Sequence, residues 1–365
     1  MGSTQPVLLR PEHDELRTSV RKFLADTSPE PAVRAVMETS QGYDSNVWRR
    51  ACAELGLAAL TVPEQYGGSG YSFVEAGVVL EESGRVLWPS PFFATTVLAT
   101  TALLASGDTS AAADFLPAIA SGGLRATVAT SGALHAAPTS DGWQVTGASA
   151  YVVDGHTAEL ILVLAETETG LSLFAVDGHA SGLTREAQST MDLTRKLAKL
   201  RFDAAPARLI GSAGSGTDLR ERVLAVAAVG LAAEQVGGAQ RVLELTVDYV
   251  KERKQFGRAI GSFQAVKHRC ADMLVDVESA RSVMVHALWA VAADSDELAE
   301  DAAVAKVFCS DAFLSCAGAA IQLHGGIGFT WEHPAHLFFK RAKSGQLMFG
   351  DPVHHRRLLG DLLEL

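Results

Sequence analysis

The feature that most constrains the fold is a series of three long helical stretches in the C-terminal part of the sequence. These stretches are residues 217–253, 262–293 and 297–323. The polar residues 294–296 separate the last two stretches and can cap the helix that follows them. Long helices that lie side by side predict a helical bundle. The pair Gly237-Gly238 also predicts that the first helix crosses a neighbour closely.

In the region before these helices, residues 122–212, the apolar residues recur with a different period. The apolar runs of this region are short, rich in β-branched residues, and separated by Gly, Asp, Ser and Pro. The runs are residues 126–129, 143–146, 160–165, 171–176 and 199–202. This pattern is typical of strands joined by turns and predicts a small barrel or sandwich.

The first region, residues 1–121, reads as helical. Apolar side chains recur at helical spacing in residues 12–25, 47–57, 73–87 and 111–120. A Gly-rich loop with Pro near its start, residues 62–70, lies between the second and third of these stretches. The sequence therefore predicts an α+β fold with an N-terminal helical domain at 1–121, a middle β domain at 122–212 and a C-terminal helical bundle at 213–365.

Charge and composition exclude several classes of function. The net charge of -11 argues against a nucleic-acid partner, because phosphate binding needs a basic face. The N-terminus has no apolar signal core, and no apolar run is long enough to span a membrane, so we expect a soluble cytoplasmic protein. No cluster has convincing metal-ligand spacing. The four cysteines form no C-x-x-C pair, which predicts reduced, mostly buried thiols.

Two motifs in the C-terminal region carry chemistry that suits a dinucleotide. In the first, Arg253 can bind a pyrophosphate through charge-assisted hydrogen bonds, and Phe256 can pack against an adenosine. In the second, Gln322 offers donors and acceptors, and Gly325-Gly326 lets a ligand approach the backbone. Either motif alone could be a basic helix end or a glycine turn. Together, and in this order, they indicate a cofactor site.

With the loop at residues 62–70, which is similar to a P-E-x-x-G-G-x-G element, these motifs make the sequence resemble the acyl-CoA dehydrogenases over nearly its full length. The resemblance implies a C-terminal four-helix bundle, FAD as cofactor, an acyl-CoA substrate and electron-transfer flavoprotein as acceptor. It also implies that flavin sites are shared across a dimer. The positions that reach the ADP half of the neighbouring subunit's FAD are then Arg253, Phe256, Gln322, Gly325 and Gly326.

The isoalloxazine half of the site departs from the family pattern. The family's Thr-Glu-Pro stretch, followed by Gly-Ser-Asp, is missing from the corresponding residues 128–135. A Trp-Ile-Thr segment, whose Thr hydroxyl bonds near flavin N5, corresponds to Tyr151-Val152-Val153. Val153 has no hydroxyl to donate.

The position of the catalytic base departs most sharply from the family pattern. In the family a Glu carboxylate takes the α proton of the acyl-CoA while flavin N5 takes the β hydride. Counting without gaps from Gly325-Gly326 places Phe349 in the Glu position, and a phenyl ring cannot abstract a proton. The other position that carries the Glu in some members falls on residues 225–228, which include no carboxylate. We identify no catalytic residue beyond one weak candidate, Asp351.

Asp351 has two interpretations. Burial beside Met348 and Phe349 would raise its pKa toward that of a base, whereas Asp before Pro352 is also a common way to open a turn.

Three hypotheses follow. The chain is the base-lacking companion of a homologous catalytic subunit, as in actinobacterial heterotetramers that act on steroid side-chain acyl-CoAs. Alternatively, it is a self-sufficient homo-oligomeric dehydrogenase with a relocated base such as Asp351. The third hypothesis is a non-enzymatic scaffold without flavin.

Overall fold

The computed structural model of the chain describes residues 9–364, which fall into two compact units. The first unit combines Met1–Val33, Phe73–Trp88 and Ala228–Leu365, and the second combines Arg34–Ser72 and Pro89–Ala227. Each unit is therefore assembled from separate parts of the sequence.

Helices make up most of the first unit and flank the strands of the second. They are α1 (Pro11–Thr27), α2 (Glu30–Met37), α3 (Ser45–Leu55), α4 (Phe73–Val86), α5 (Thr100–Ala105), α6 (Thr109–Ala120), α7 (Gly216–Glu252), α8 (Gln264–Ala292), α9 (Leu298–His324), α10 (Ala335–Leu347) and α11 (Pro352–Leu362). A π-helical segment, Phe93–Ala99, leads directly into α5.

The strands of the second unit close into a barrel, as the sequence predicts. They are β1 (Ala126–Ala129), β2 (Ala133–Thr139), β3 (Gly142–Val153), β4 (Leu160–Thr167), β5 (Gly170–Asp177), β6 (Leu183–Ala187) and β7 (Leu197–Ile210). The ring runs β4-β2-β3-β7-β5 and returns to β4, while β1 and β6 extend β4 and β7. Alternate side chains such as Val145, Ile161 and Phe174 fill its interior.

The first unit is a helical bundle in which α4 and α7 cross at backbone contact. A Cβ added to Gly84 would lie 1.9 Å from the carbonyl oxygen of Glu234, and one added to Gly237 would lie 1.8 Å from that of Glu81. Only glycine permits this approach. The close crossing predicted from Gly237-Gly238 is confirmed.

The order of elements matches the predicted α+β fold: helices up to Ala120, strands from Ala126 to Ile210, and helices from Gly216 onward. The limits at 1–121, 122–212 and 213–365 stay predictions, since the compact units group the chain differently.

Two helices, α7 and α9, are long and apolar enough by composition to cross a membrane. This differs from the expectation that no apolar run is long enough. The most apolar window of α7 is 83% buried inside the protein, which is the behaviour of a core helix in a bundle.

Candidate functional site

The first motif forms a strained hairpin at the end of α7. The helix ends at Glu252, and two short strands, β8 (Lys254–Gln255) and β9 (Arg258–Ala259), pair around a two-residue turn. Phe256 and Gly257 occupy this turn with φ of 52° and 76°. Positive φ at both central residues is the requirement of a type I′ turn, which favours Asn or Gly at the first position. The ring of Phe256 is 92% exposed.

Arg253 lies where the helix gives way to this hairpin. Its backbone is fixed at both ends, because its N–H donates to Tyr249 O at 2.8 Å and its carbonyl accepts from Ile260 N at 2.8 Å. Its side chain is exposed and forms no ion pair among residues 9–364. Lys251, Lys254 and Arg258 lie within five residues of it, so this hairpin is locally basic in an acidic chain.

The second motif forms an open turn at the end of α9. Gly325 has φ 64° and ψ -140°, a backbone conformation that side chains exclude. Gly326 has no such requirement, and a Cβ at either residue would meet no atom within 4 Å in the part of the chain that the structure describes. The packing of this chain therefore does not explain Gly326, and the turn presents bare backbone outward.

An aromatic contact that the sequence did not predict brings the two motifs together. The Tyr249 hydroxyl donates to His324 O at 3.2 Å, and the rings of these two residues lie 4.5 Å apart. The ring of His333 also contacts the ring of His324, and their centroids lie 4.2 Å apart. Tyr249 lies one turn before Arg253, and His324 directly precedes Gly325. The stack therefore fixes the helix end against the glycine turn.

Gln322 lies beside a shallow cavity of about 320 Å³ between the start of α8 and the end of α9. Arg269 lines the same cavity and is a further cation that the motifs did not point to. The structure thus gathers a cation, an exposed aromatic ring, an amide side chain and a bare backbone turn in one unit. These groups fit the pyrophosphate and adenosine of a dinucleotide.

The segments that the family resemblance assigns to the isoalloxazine half lie in the other unit, on the barrel. Val152 and Val153 are buried, and Thr127 Oγ1 donates to Val153 O at 2.6 Å. Tyr151 is exposed at φ 60°. Gly132 lies so close to β3 that a Cβ would be 2.3 Å from Ala148 O. No hydroxyl is present at position 153 to serve a flavin.

The loop that carries Phe349 joins α10 to α11 and is held from inside the bundle. The fully buried Lys306 donates to Gln346 O and Gly350 O, both at 3.0 Å, and to Ser310 Oγ at 3.3 Å. Burial lowers the pKa of Lys306 to about 8. His355 Nε2 donates to Phe349 O at 2.9 Å, and burial lowers the pKa of this imidazole to about 4.

Asp351 caps the N-terminus of α11. Its Oδ1 accepts from His354 N at 2.8 Å. Backbone hydrogen bonds, first that from His354, lower the pKa of Asp351, which fits the interpretation of Asp351 as a turn-opening residue and not that of a base with a raised pKa. The cause is that the helix N-terminus stabilises the charged carboxylate more than burial opposes it.

The fold and these sites define a class of protein. The sequence models of the acyl-CoA dehydrogenase C-terminal and N-terminal domains match residues 214–363 and 10–123. The chain belongs to the acyl-CoA dehydrogenase family, a family of FAD-dependent oxidoreductases.

Individual relatives and solved structures are similar to this chain over nearly its full length. Acyl-CoA dehydrogenase IpdE2 of Mycobacterium tuberculosis is 39% identical over 354 residues, which cover 97% of this chain and 98% of the relative. The Tcur3481-Tcur3483 steroid ACAD, solved as a variant, shares 33% identity with a TM-score of 0.89 over 97% of this chain and 98% of its own. The ChsE4-ChsE5 complex from Mycobacterium tuberculosis shares 29% identity with a TM-score of 0.91 over 99% of both chains.

Proposed function

We propose that this chain is the base-lacking subunit of a heteromeric acyl-CoA dehydrogenase. In this role it binds a homologous subunit that carries the catalytic Glu and an intact flavin pocket. Arg253, Phe256, Gln322, Gly325 and Gly326 contribute to the ADP half of the partner's FAD.

The observation that carries this proposal is the split between the two halves of the site. The ring of Phe256 is 92% exposed and contacts Phe263 only edge-on, and among the described residues no atom lies within 4 Å of a Cβ added at Gly326. The base position holds Phe349, and the neighbouring carboxylate, Asp351, is committed to a helix cap. A chain with an intact ADP half and no base is suited to a shared site, in which chemistry occurs on the other subunit.

In this proposal the two subunits contribute different groups to the reaction, cofactor-binding residues from this chain and the base from its partner. FAD, when bound, accepts the β hydride of the acyl-CoA. The guanidinium of Arg253 neutralises pyrophosphate charge, and Phe256 covers adenosine from water. The stack of Tyr249 and His324 holds these groups in register. Proton abstraction falls to the partner's carboxylate, because this chain offers none at position 349.

The relatives suggest the substrate and the assembly. A steroid ACAD and a two-protein complex, ChsE4-ChsE5, share this fold over nearly the whole chain. We therefore propose a steroid side-chain acyl-CoA as substrate and a heterotetramer as the working form. Electron-transfer flavoprotein as acceptor and a cytoplasmic location complete the proposal.

The decisive experiment is the visible spectrum and native mass of the chain purified alone and after co-expression with homologues encoded nearby. The proposal predicts a colourless chain alone and a yellow complex with one FAD per unequal pair. A yellow chain that oxidises acyl-CoA by itself would contradict it and would favour the homo-oligomer with a relocated base. A colourless product under every condition would favour the flavin-free scaffold.

The relocated base can be tested separately. Asp351→Asn keeps an acceptor for the helix cap and removes the carboxylate. If the self-sufficient enzyme is correct, this variant loses turnover while keeping its flavin. We expect no change in the turnover of the heteromeric complex, with loss of turnover on changing the partner's Glu as the matched control.

A further inference from the structure

A second cavity, of about 410 Å³, lies in the first unit and shares no lining residue with the candidate cofactor site. The ends of α1 and α4, the start of α2, the middle of α7 and the start of α10 surround it. Its size falls within the range of small-molecule sites. We name it the arginine cavity, because three of its lining residues are Arg21, Arg85 and Arg241.

Most of the wall is apolar. Leu24 from α1, Leu245 from α7 and Phe338 from α10 contribute, together with Val33, Leu87 and Leu337. Apolar walls with a few charged groups are typical of sites that take an amphipathic ligand.

Glu30 and Glu82 line the cavity, and Glu81 and Glu244 are the neighbours of Glu82 and Arg85; none of these four carboxylates is without a partner. The buried Glu82 accepts two hydrogen bonds from Arg21, at 2.7 and 2.8 Å. Glu244 accepts two from Arg85, at 2.6 and 3.0 Å. Glu81, also buried, binds Arg17 at 2.6 Å and Arg281 on its other oxygen. Arg17, Arg21, Arg85 and Arg281 thus hydrogen-bond these three carboxylates without any contribution from Arg241.

Arg241 is the lining guanidinium with the weakest pairing, a single ion pair with Glu244. Its closest carboxylate oxygen, Glu244 Oε2, is 3.6 Å away, beyond hydrogen-bond length, and is already bound by Arg85. Among residues 9–364, Arg241 makes no hydrogen bond, and its side chain is 41% exposed. A planar guanidinium beside an apolar cavity is suited to a carboxylate, which it can bind in bidentate geometry.

The backbone at the cavity is also strained. Leu87, which follows α4, is buried with φ 53°, a conformation usually taken by glycine at a helix end. Non-glycine residues persist in this region only where the surroundings enforce them, as at ligand clamps. Here the strain places a leucine side chain on the cavity wall.

We propose that the arginine cavity binds an amphipathic carboxylate, separate from the acyl-CoA and FAD sites. Its carboxylate head pairs with Arg241, and its apolar body lies against Leu24, Leu245 and Phe338. The site does not depend on the proposed companion role, because all its groups belong to one unit of this chain.

The test is calorimetric titration of the full chain, and of the purified complex where one forms, with decanoate. We expect one decanoate per chain, with no comparable binding of decan-1-ol, which lacks the charge, or of butyrate, which lacks the apolar body. Arg241→Gln should weaken decanoate binding by about tenfold or more, since it removes a charge-assisted pair. Leu245→Trp should block binding by filling the cavity. Arg220→Gln, an exposed arginine change on the same helix, is the matched control and should bind as the parent does.

Three results would overturn the proposal. One is equal decanoate affinity in the parent and Arg241→Gln, with both variants folded by circular dichroism. Another is displacement of decanoate by an acyl-CoA, which would assign the binding to the substrate site. The third is binding to the chain alone that disappears in the complex, which would assign the cavity to a subunit interface. The readout is independent of flavin content, so its failure is distinguishable from failure of the companion role.

Discussion

The two regions that we propose to correspond to the ADP-binding and isoalloxazine-binding parts of flavin sites differ in what holds their residues in place. After α7, Phe256 is exposed in a strained turn, and after α9, Gly326 lacks a side chain although no atom of residues 9–364 would meet one within 4 Å. On the barrel, Val152 and Val153 are buried, and Thr127 binds the backbone beside them. The first region keeps features that its own packing does not require. In the second, the chain's own packing accounts for Val152 and Val153, although the neighbouring Tyr151 is exposed at φ 60°. Features of the first kind point to a ligand outside the chain, and those of the second kind do not.

The strongest test of this difference is to make the same change, glycine to valine, in both regions. Gly132→Val should destabilise the barrel by about 3 kcal/mol or more, because its Cβ would meet Ala148 O and its φ is 119°. Gly326→Val should leave thermal stability nearly unchanged and instead reduce FAD retention in the complex. Melting temperature and bound flavin are measured for both. A large loss of stability in Gly326→Val would show that the turn is needed for folding.

The loop of Phe349 is a third region to compare, and we predict that Lys306 holds it in place and makes the free energy of unfolding depend on pH. The folded pKa of Lys306, about 8, lies below the ordinary 10.5, so between these pH values the unfolded chain binds more protons. The free energy of unfolding should therefore rise with pH across this window, by up to roughly 3 kcal/mol. Lys306→Met should lose this rise and should be destabilised near pH 7, because two loop carbonyls lose their donor.

Denaturant titrations at pH 7.5 and pH 10 measure this effect for the parent and the variant. Lys340→Met, a change to a partly exposed lysine of the same bundle, is the control and should keep the rise. Parallel pH dependences in the parent and Lys306→Met would contradict the assignment.

A smaller effect is expected for Arg253→Ala. The loss of one charge-assisted partner of the pyrophosphate should weaken FAD binding to the complex by about 2 kcal/mol, with little effect on folding. Flavin release during dilution, followed by fluorescence, measures it against Arg220→Ala. Unchanged flavin content would count against the ADP-half assignment.

The smallest effect is expected for Phe349→Glu. Restoring the carboxylate alone should not give the isolated chain full activity, because Val153 and residues 128–135 still lack the flavin contacts of the family pattern. Acyl-CoA oxidation by this variant, with Phe349→Gln as an uncharged control, is the measurement. High turnover would show that the flavin half is intact, and the contrast between the two regions would disappear.

The sequence predicted the long elements well because their apolar period extends over many turns. The stretch 262–293 is α8, Gln264–Ala292, and the stretch 297–323 is α9, Leu298–His324. It missed the π-helical segment Phe93–Ala99, which is buried on every side and so has no polar face to mark its period. It also missed β6, whose side chains are mostly exposed.

The site was predictable to the extent that its chemistry is local. Arg253 with Phe256, and Gln322 with the glycine pair, are short motifs. The contact of Tyr249 with His324 joins residues 75 positions apart, and no local pattern shows it. By contrast, the turn-opening interpretation of Asp351 was available locally, because the helix that it caps begins at the next residue, Pro352.

The discontinuous first unit has a consequence for synthesis. Glu81 of α4 is buried against Arg281, which follows it by 200 residues. At about 5–20 residues per second, a ribosome needs roughly 10–40 s to deliver that arginine after the glutamate. The residues of the second unit end at Ala227 and are complete before it arrives. During this interval Arg17 and Arg21 of α1 can already pair with the carboxylates of α4, but one oxygen of Glu81 still lacks Arg281 and the glycine face of α4 still lacks α7.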